Sequence, residues 1–405
     1  MRTAFLHIDR LLLAHQRYWR FEPFHESGSK DHRFTNTELG DWLESLSMQQ
    51  VQQCKQNVQT LTSTLTTFLP SLADLAQHSC LKQTQVPPVT LNSRLTTGVP
   101  GRKLTQITAM GAQVLHQHCG TQWLEWCAGK GFLGRILADQ SQQAVRSFEW
   151  QSELCEKGQA EANKQQLPVT FIEGDAFNCD HKAVFNHQQH AVALHACGDL
   201  HVALMHHAMN YQLPALSIAP CCYHLIQGEH YQAQSDEGKA SSLILSKSEL
   251  RIPLQETVTG GERVQRHRLL EMSFRLGLDE LLRGELGLQQ YQPIPSIKKS
   301  QLQLGFREFC LWAAQRKGLT LPECDFEQYR LQGELRFARM EKLSLVQMAF
   351  HRALEMWLVL DKSLFLAKHG YQITLNEFCS KAITPRNILI HAKRTEPRCD
   401  TNCTK

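Results

Sequence analysis

The chain has 405 residues, 42% of them hydrophobic and 20% charged, with a formal net charge of +4. That is the balance of an ordinary soluble protein with room for a large core and more than one domain. No apolar run reaches the roughly 20 residues a membrane span needs, and with Arg2, Asp9 and Arg10 interrupting it the N-terminal apolar stretch is not expected to be a signal peptide.

The 14 cysteines are scattered, with one adjacent pair, and read as reduced thiols of a cytoplasmic protein. The small net charge neither demands nor excludes nucleic acid, because local patches matter more than the total. Residues 1–83 read as a helical region: Leu11–His15, Trp42–Ser47 and Val58–Leu75 carry apolar residues at helical intervals. His25–Asn36 is a polar loop, and no catalytic constellation is present in this region. Residues 84–101, with Pro87, Pro88 and Pro100, form a linker or lid. A helix follows to about His118, and Lys103 near its start faces either a cofactor, an anionic substrate or solvent.

The core begins at residue 102. Trp123–Trp126 is a strand carrying one acid, Glu125; Cys127-Ala-Gly-Lys-Gly131 is a tight turn; Phe132–Ala138 has helical spacing. Glycines there let backbone approach a ligand, and the helix N-terminus offers free N–H groups. A phosphate-binding P-loop needs Ser or Thr after Gly-Lys, and Gly131 stands there instead. Gly129-Lys-Gly-Phe-Leu-Gly134 fits the dinucleotide string, but the acid before the turn points to S-adenosylmethionine (SAM). Ala144–Glu149 is a second strand whose terminal acid suits ribose hydroxyls. A crossover helix spans Gln151–Gln166, and Val169–Phe177 is a third strand with Asp175 and Ala176 at its end, where Asp175 suits the adenine amino group. The expected cofactor-binding set is Lys103, Glu125, Cys127, Gly129, Gly131, Glu149, Asp175, Ala176 and His195.

The fourth and fifth strands, Ala191–Leu200 and Ala215–His224, are apolar runs ending in Gly, Pro, Cys and His. Their tips place His195, Cys197, Gly198, Pro220, Cys221, Cys222, Tyr223 and His224 beside the methyl donor as the expected catalytic set. Three readings of this cluster stay open: a metal site, although the spacings are not those of a zinc ribbon or finger; acid–base chemistry by His195 or His224; and plain packing of small polarizable side chains. No metal is counted among the expected ligands. The (Asp/Asn)-Pro-Pro-(Tyr/Phe) motif of amino-methylating enzymes is absent.

Ala193-Leu-His-Ala-Cys-Gly198 together with Pro220-Cys-Cys-Tyr-His224 resembles a methyltransferase domain found in several proteins. These are the glutathione S-transferase C-terminal-domain-containing protein, the ribosomal-RNA adenine dimethylase domain-containing proteins and related methyltransferase-like proteins. The tRNA acceptor-stem 2′-O-methyltransferases carry a more distant version. Cys127 in the first-glycine position, Pro100-Gly-Arg-Lys103, Val359–Leu366 and Thr384-Pro-Arg-Asn387 extend the resemblance over residues 98–394. It implies SAM as cofactor and an α/β fold: a doubly wound, seven-stranded class I methyltransferase (Rossmann-like) sheet.

Residues 225–338 read as a helical insertion before the last two strands. Gly228–Lys239 is expected to be a mobile loop beside the crevice. Arg263–Arg268 is a basic cluster, Lys298-Lys299 another, and both suit phosphates or a solvated face. Glu341–Leu366 is expected to be one long helix. Residues 339–394 hold that helix and a terminal strand pair, Gly370–Asn376 and Arg386–Lys393, giving the sheet one antiparallel edge, and 395–405 is a polar tail. The expected function is methyl transfer from SAM to a macromolecule, RNA (tRNA or rRNA) ahead of a protein side chain, with no membrane partner. A module that binds SAM or RNA without turnover is the alternative.

Overall fold

The computed structural model describes residues 1–178, 181–194, 196–254 and 262–395. They form two compact units: Met1–Leu13, Gln77–Leu254 and Arg352–Lys405 in the first, Ala14–Ala76 and Gln255–His351 in the second. The unit boundaries thus fall at 254/255 and 351/352 rather than at 224/225 and 338/339, and the N-terminal helical region is divided between the two units.

The first unit is built on a seven-stranded sheet: β1 (Gln122–Trp126), β2 (Val145–Glu149), β3 (Val169–Glu173), β4 (Gln189–Ala193), β5 (Ala215–Ile218), β6 (Tyr371–Glu377) and β7 (Ile388–Arg394). The order is β3-β2-β1-β4-β5-β7-β6. β1 to β5 run parallel, and β7 pairs antiparallel with both β5 and β6. The reversed strand is therefore β7, one place in from the edge, and not the edge strand itself. Connections leave β1 toward β3 on one side and continue through β4 and β5 on the other. That reversal puts a crevice at the carboxyl tips of β1 and β4.

Helices α1 (Gly101–His116), α2 (Phe132–Ser141), α3 (Ser152–Lys164), α4 (Asp199–Asn210) and α5 (His351–Lys368) cover the sheet. Alternation along β1 explains how both faces are filled. Trp123 packs with Ile107 and Met110 of α1 and Leu133 and Ile136 of α2. Trp126, three residues on, stacks on Phe148 at 4.5 Å, and its indole N–H donates to the Leu200 carbonyl of α4. Gly134 lets α2 lie on the sheet, because a Cβ there would run into Glu125 and Ser147.

α5 is buried along most of its length, which explains its apolar character on every side. Its Asp361 carboxylate accepts from the backbone N–H groups of Gln234 and Ser235 and from the hydroxyls of Ser235 and Tyr231. Gly228–Lys239 is thereby anchored, in contrast to the mobile loop expected from its polarity. The expected single helix over 341–366 is two helices, Phe326–Met348 and α5, interrupted at Ala349 and Phe350. Apolar spacing runs through the break with no Gly or Pro to signal it. Residues 84–101 lie along the first unit: the Thr84 and Thr90 carbonyls accept from Gln113 and Gln140.

The second unit is helical. Glu262–Leu286, Phe306–Lys317 and Phe326–Met348 enclose a core of Phe274, Leu278, Leu281, Phe306 and Phe309. Arg336 is buried against Asp279 at 2.7 Å. Arg268, part of the basic cluster, pairs with the buried Glu341 at 2.9 Å, while Arg263 and Arg266 are exposed. Among the described residues no helix is long and apolar enough to cross a membrane.

Candidate active site

The turn after β1 carries the geometry a nucleoside-bound ligand requires. Cys127, Gly129 and Gly131 take φ of 57°, 61° and 66°. This left-handed backbone is routine for glycine and uncommon for cysteine. A Cβ built on Gly129 would meet no atom within 4 Å, so the turn opens onto free space there. Gly131 caps α2, whose first N–H groups face the same side.

Glu149, at the tip of β2, accepts the Gly129 N–H at 2.8 Å and the Gln151 N–H at 3.0 Å. Its carboxylate braces the turn and lies at the tip adjoining it. Asp175 follows β3 and accepts the Phe177 N–H at 3.0 Å, with Ala176 buried beside it. Lys103 of α1 is exposed, its ammonium 5.4 Å from the ring centre of Phe132, the first residue of α2. Glu149 and Lys103 meet the β1 turn and the start of α2, and the Gly174 N–H donates to the Glu149 carbonyl at 3.0 Å, which ties the end of β3 to the tip of β2.

Glu125 is placed differently from the rest. It is 5% exposed and accepts from the Ser147 hydroxyl at 2.8 Å beneath α2. Burial pushes its carboxyl up to about 7, against the Ser147 and Gly134 hydrogen bonds that hold it down. Glu125 therefore ties β2 to the start of α2, the helix that follows the glycine turn.

The tips of β4 and β5 bring the sulfur atoms together. Cys197 pairs with Cys221 across the two strands, and the Gly198 N–H donates to the Cys221 carbonyl at 3.1 Å. The Asp199 N–H donates to the Leu225 carbonyl at 3.0 Å, and the Asp199 carboxylate accepts from Gln227 at 2.8 Å. Gly198 has φ of 57°, and any Cβ there would strike the Leu225 carbonyl. The two loops are thus locked to one another, with Pro220 buried between them. The Cys197 and Cys221 sulfurs are 3.4 Å apart, and the three sulfurs of Cys197, Cys221 and Cys222 lie within 4.8 Å of one another. Bonds from Cys197 and Cys221, then the Arg386 and His224 charges, hold the Cys222 thiol low, while Cys221 is pushed up by its bonds to both neighbours and by burial. Burial, then the Glu149 charge and Cys197, push Cys127 up to about 12, so it stays a neutral thiol.

Tyr223 is buried with its hydroxyl 3.4 Å from Glu355, and Glu355 is paired with Arg352 at 2.7 Å. His224 Nδ1 is buried and has no hydrogen-bond partner among the described residues. Burial and then the cations Arg251, Arg386 and Lys247 lower the His224 pKa, against the Cys222 charge. His195 lies outside the described residues. Arg251, Lys247, Arg386 and the Arg352–Glu355 pair join the site without having been singled out as site residues. Thr384–Asn387 stands out only as part of the family resemblance, and the others lie over 20 residues from the strand tips they serve. The pocket lined by Phe185, Asn186, Asn210, Tyr211 and Gln212 lies at the other end of the sheet, where β4 and β5 begin.

Residues 102–229 match a family described as a methyltransferase domain. Among solved structures, the tRNA (uracil-54, C5)-methyltransferase of Pyrococcus abyssi is 16% identical over 29% of this chain and 28% of its own, with a TM-score of 0.25. Magnesium protoporphyrin IX methyltransferase from Synechocystis PCC 6803 is 12% identical over 33% of this chain and 61% of its own, TM-score 0.26. Geranyl diphosphate C-methyltransferase from Streptomyces coelicolor A3(2) is 12% identical over 36% of this chain and 59% of its own, TM-score 0.24. This chain covers less than two thirds of each of them. The fold rests on the strand order itself, and residues 102–229 are similar to the methyltransferase-domain family.

Proposed function

We propose that this protein transfers the methyl group of SAM to an RNA acceptor, tRNA or rRNA, held at the tips of β4 and β5. The observation that carries the acceptor reading is the convergence of Lys247, Arg251 and Arg386 on His224, with Arg386 also acting on Cys222. Three cations at one crevice favour a polyanion over a neutral side chain. The exposed Arg263, Arg266, Lys298 and Lys299 add positive charge elsewhere on the chain, and the resemblance to tRNA-modifying methyltransferases points the same way.

In this reading Gly129 and Gly131 hold the methionine part of the donor, Glu149 its ribose and Asp175 its adenine, with Lys103 beside the turn. Glu125 and Ser147 tie β2 to the start of α2. When bound, SAM supplies an electrophilic methyl carbon on a sulfonium. The locked loops 197–199 and 220–227 position the acceptor, and positioning supplies most of the rate. The His224 imidazole at the tip of β5 takes the acceptor's proton. The free cysteines among the described residues are consistent with a cytoplasmic protein.

The test is incubation of the purified protein with tritiated SAM and a cell extract, followed by nuclease or protease. Label released by nuclease supports the proposal. Label released only by protease assigns a protein acceptor, and binding of SAM without label transfer assigns a silent binding module.

A further inference from the structure

The three thiols at the β4 and β5 tips have spacings that match no standard zinc motif, and the structure supplies their geometry. Cys197 is 24 residues from Cys221, outside the short CxxC spacings of zinc ribbons. Strand pairing nevertheless brings Cys197 directly opposite Cys221, and the left-handed backbone at Cys222 (φ 46°) places its sulfur within 4.8 Å of both. Ligands at a Zn–S distance of about 2.3 Å in a tetrahedron are about 3.8 Å apart. The observed sulfur separations, 3.4 Å for one pair and at most 4.8 Å for all, bracket that value.

We infer that Cys197, Cys221 and Cys222 bind one zinc ion at the floor of the crevice, leaving one coordination position for water or an acceptor atom. Thiolate donors select a soft or borderline ion, and zinc matches three sulfurs without redox chemistry. No fourth His, Cys, Asp or Glu atom shares this reach among the described residues, which is the pattern of an open site. Each thiol loses its proton to solvent on binding, so three thiolates and one Zn²⁺ leave the site at −1. Arg386 acts on both Cys197 and Cys222 and offsets that charge. The frame is set before metal arrives: Gly198 to Cys221, Asp199 to Leu225 and Gln227 to Asp199 are all hydrogen-bonded. Such support for ligating groups is worth ten- to hundredfold in affinity.

The test uses the full chain, purified reduced and without a histidine tag, dialysed against Zn²⁺ and then against buffer. One zinc per chain is expected, with about three sulfurs at about 2.3 Å by X-ray absorption. Cys197→Ser and Cys222→Ser each lower zinc affinity at least about tenfold, while Cys54→Ser, in the other unit, leaves it unchanged. The inference is overturned by a reduced, folded wild-type chain that holds no stoichiometric zinc. It is equally overturned by zinc retained in both variants, or by an absorption spectrum with fewer than two sulfurs. The absorption measurement needs only wild-type protein, so a variant that fails to fold leaves the test intact. None of these readouts involves methyl transfer, so the zinc site and the RNA acceptor stand or fall separately.

Discussion

The Glu149 carboxylate accepts the backbone N–H of Gly129 at 2.8 Å, joining the tip of β2 to the glycine turn after β1. The bond crosses 20 residues of chain and fixes the cradle from the side. Gly129 has φ of 61° with open space around it, so a side chain there is limited by backbone strain rather than by crowding. We predict that Gly129→Val costs about 1–2 kcal/mol of stability from that strain, measured by urea denaturation, and also blocks the cradle. A variant as stable as wild type would remove the left-handed turn from the account.

Glu125 makes a pH prediction. Its carboxyl, raised by burial to about 7 from 4.5, binds its proton more tightly when folded than when unfolded. The stability it contributes is therefore full below about pH 4.5 and is lost as pH rises through about 7, by roughly 3 kcal/mol in total. Glu125→Gln cannot ionise, so its stability should gain on wild type between pH 5 and pH 8. Denaturation curves at the two values check this, and an unchanged difference between the proteins would contradict it.

A chain of buried imidazoles acts in the opposite sense. His118 meets His190 at 3.1 Å, His190 meets Ser217 at 2.9 Å, and Ser217 meets His391 at 2.9 Å. Burial and then the Lys393 charge lower His391 to about 4, and burial, aided by His391 and His118, lowers His190 well below its ordinary value. A lowered pKa means stability is complete above about 6.5 and is lost as pH falls from there toward 4. The expected outcome is a falling unfolding midpoint over that window, with His391→Asn showing a shallower fall.

Much of the sheet was legible because each parallel strand reads as an apolar run ended by Gly, Pro or an acid. The tips carried the signal: Glu149 and Asp175 both sit where their spacing put them. What escaped were relationships across long stretches of chain. The break at Ala349–Phe350 has no Gly or Pro to announce it. Anchoring of Gly228–Lys239 depends on Asp361, over 100 residues away. Glu125 stands in the expected position, but its inward direction is decided by the Ser147 hydroxyl on the neighbouring strand. The sulfur cluster was legible as a group at the β4 and β5 tips, and the pairing of Cys197 with Cys221 supplies its distances.

The crevice cations give a kinetic prediction. Lys247→Ala and Arg251→Ala, at residues flanking His224, should each raise the KM for an RNA acceptor by about three- to tenfold in low salt and lower the salt slope by about 1. The KM for SAM should stay constant. Unchanged RNA dependence in both variants would detach the acceptor from this face.

The most direct measurement of the central claim is calorimetric titration of SAM into wild type, Glu149→Ala and Asp175→Ala. The account predicts one site per wild-type chain, affinity lost at least a hundredfold in Glu149→Ala, and a smaller loss in Asp175→Ala. Equal affinity in all three proteins would contradict it, because the donor would then lie away from the tips of β2 and β3.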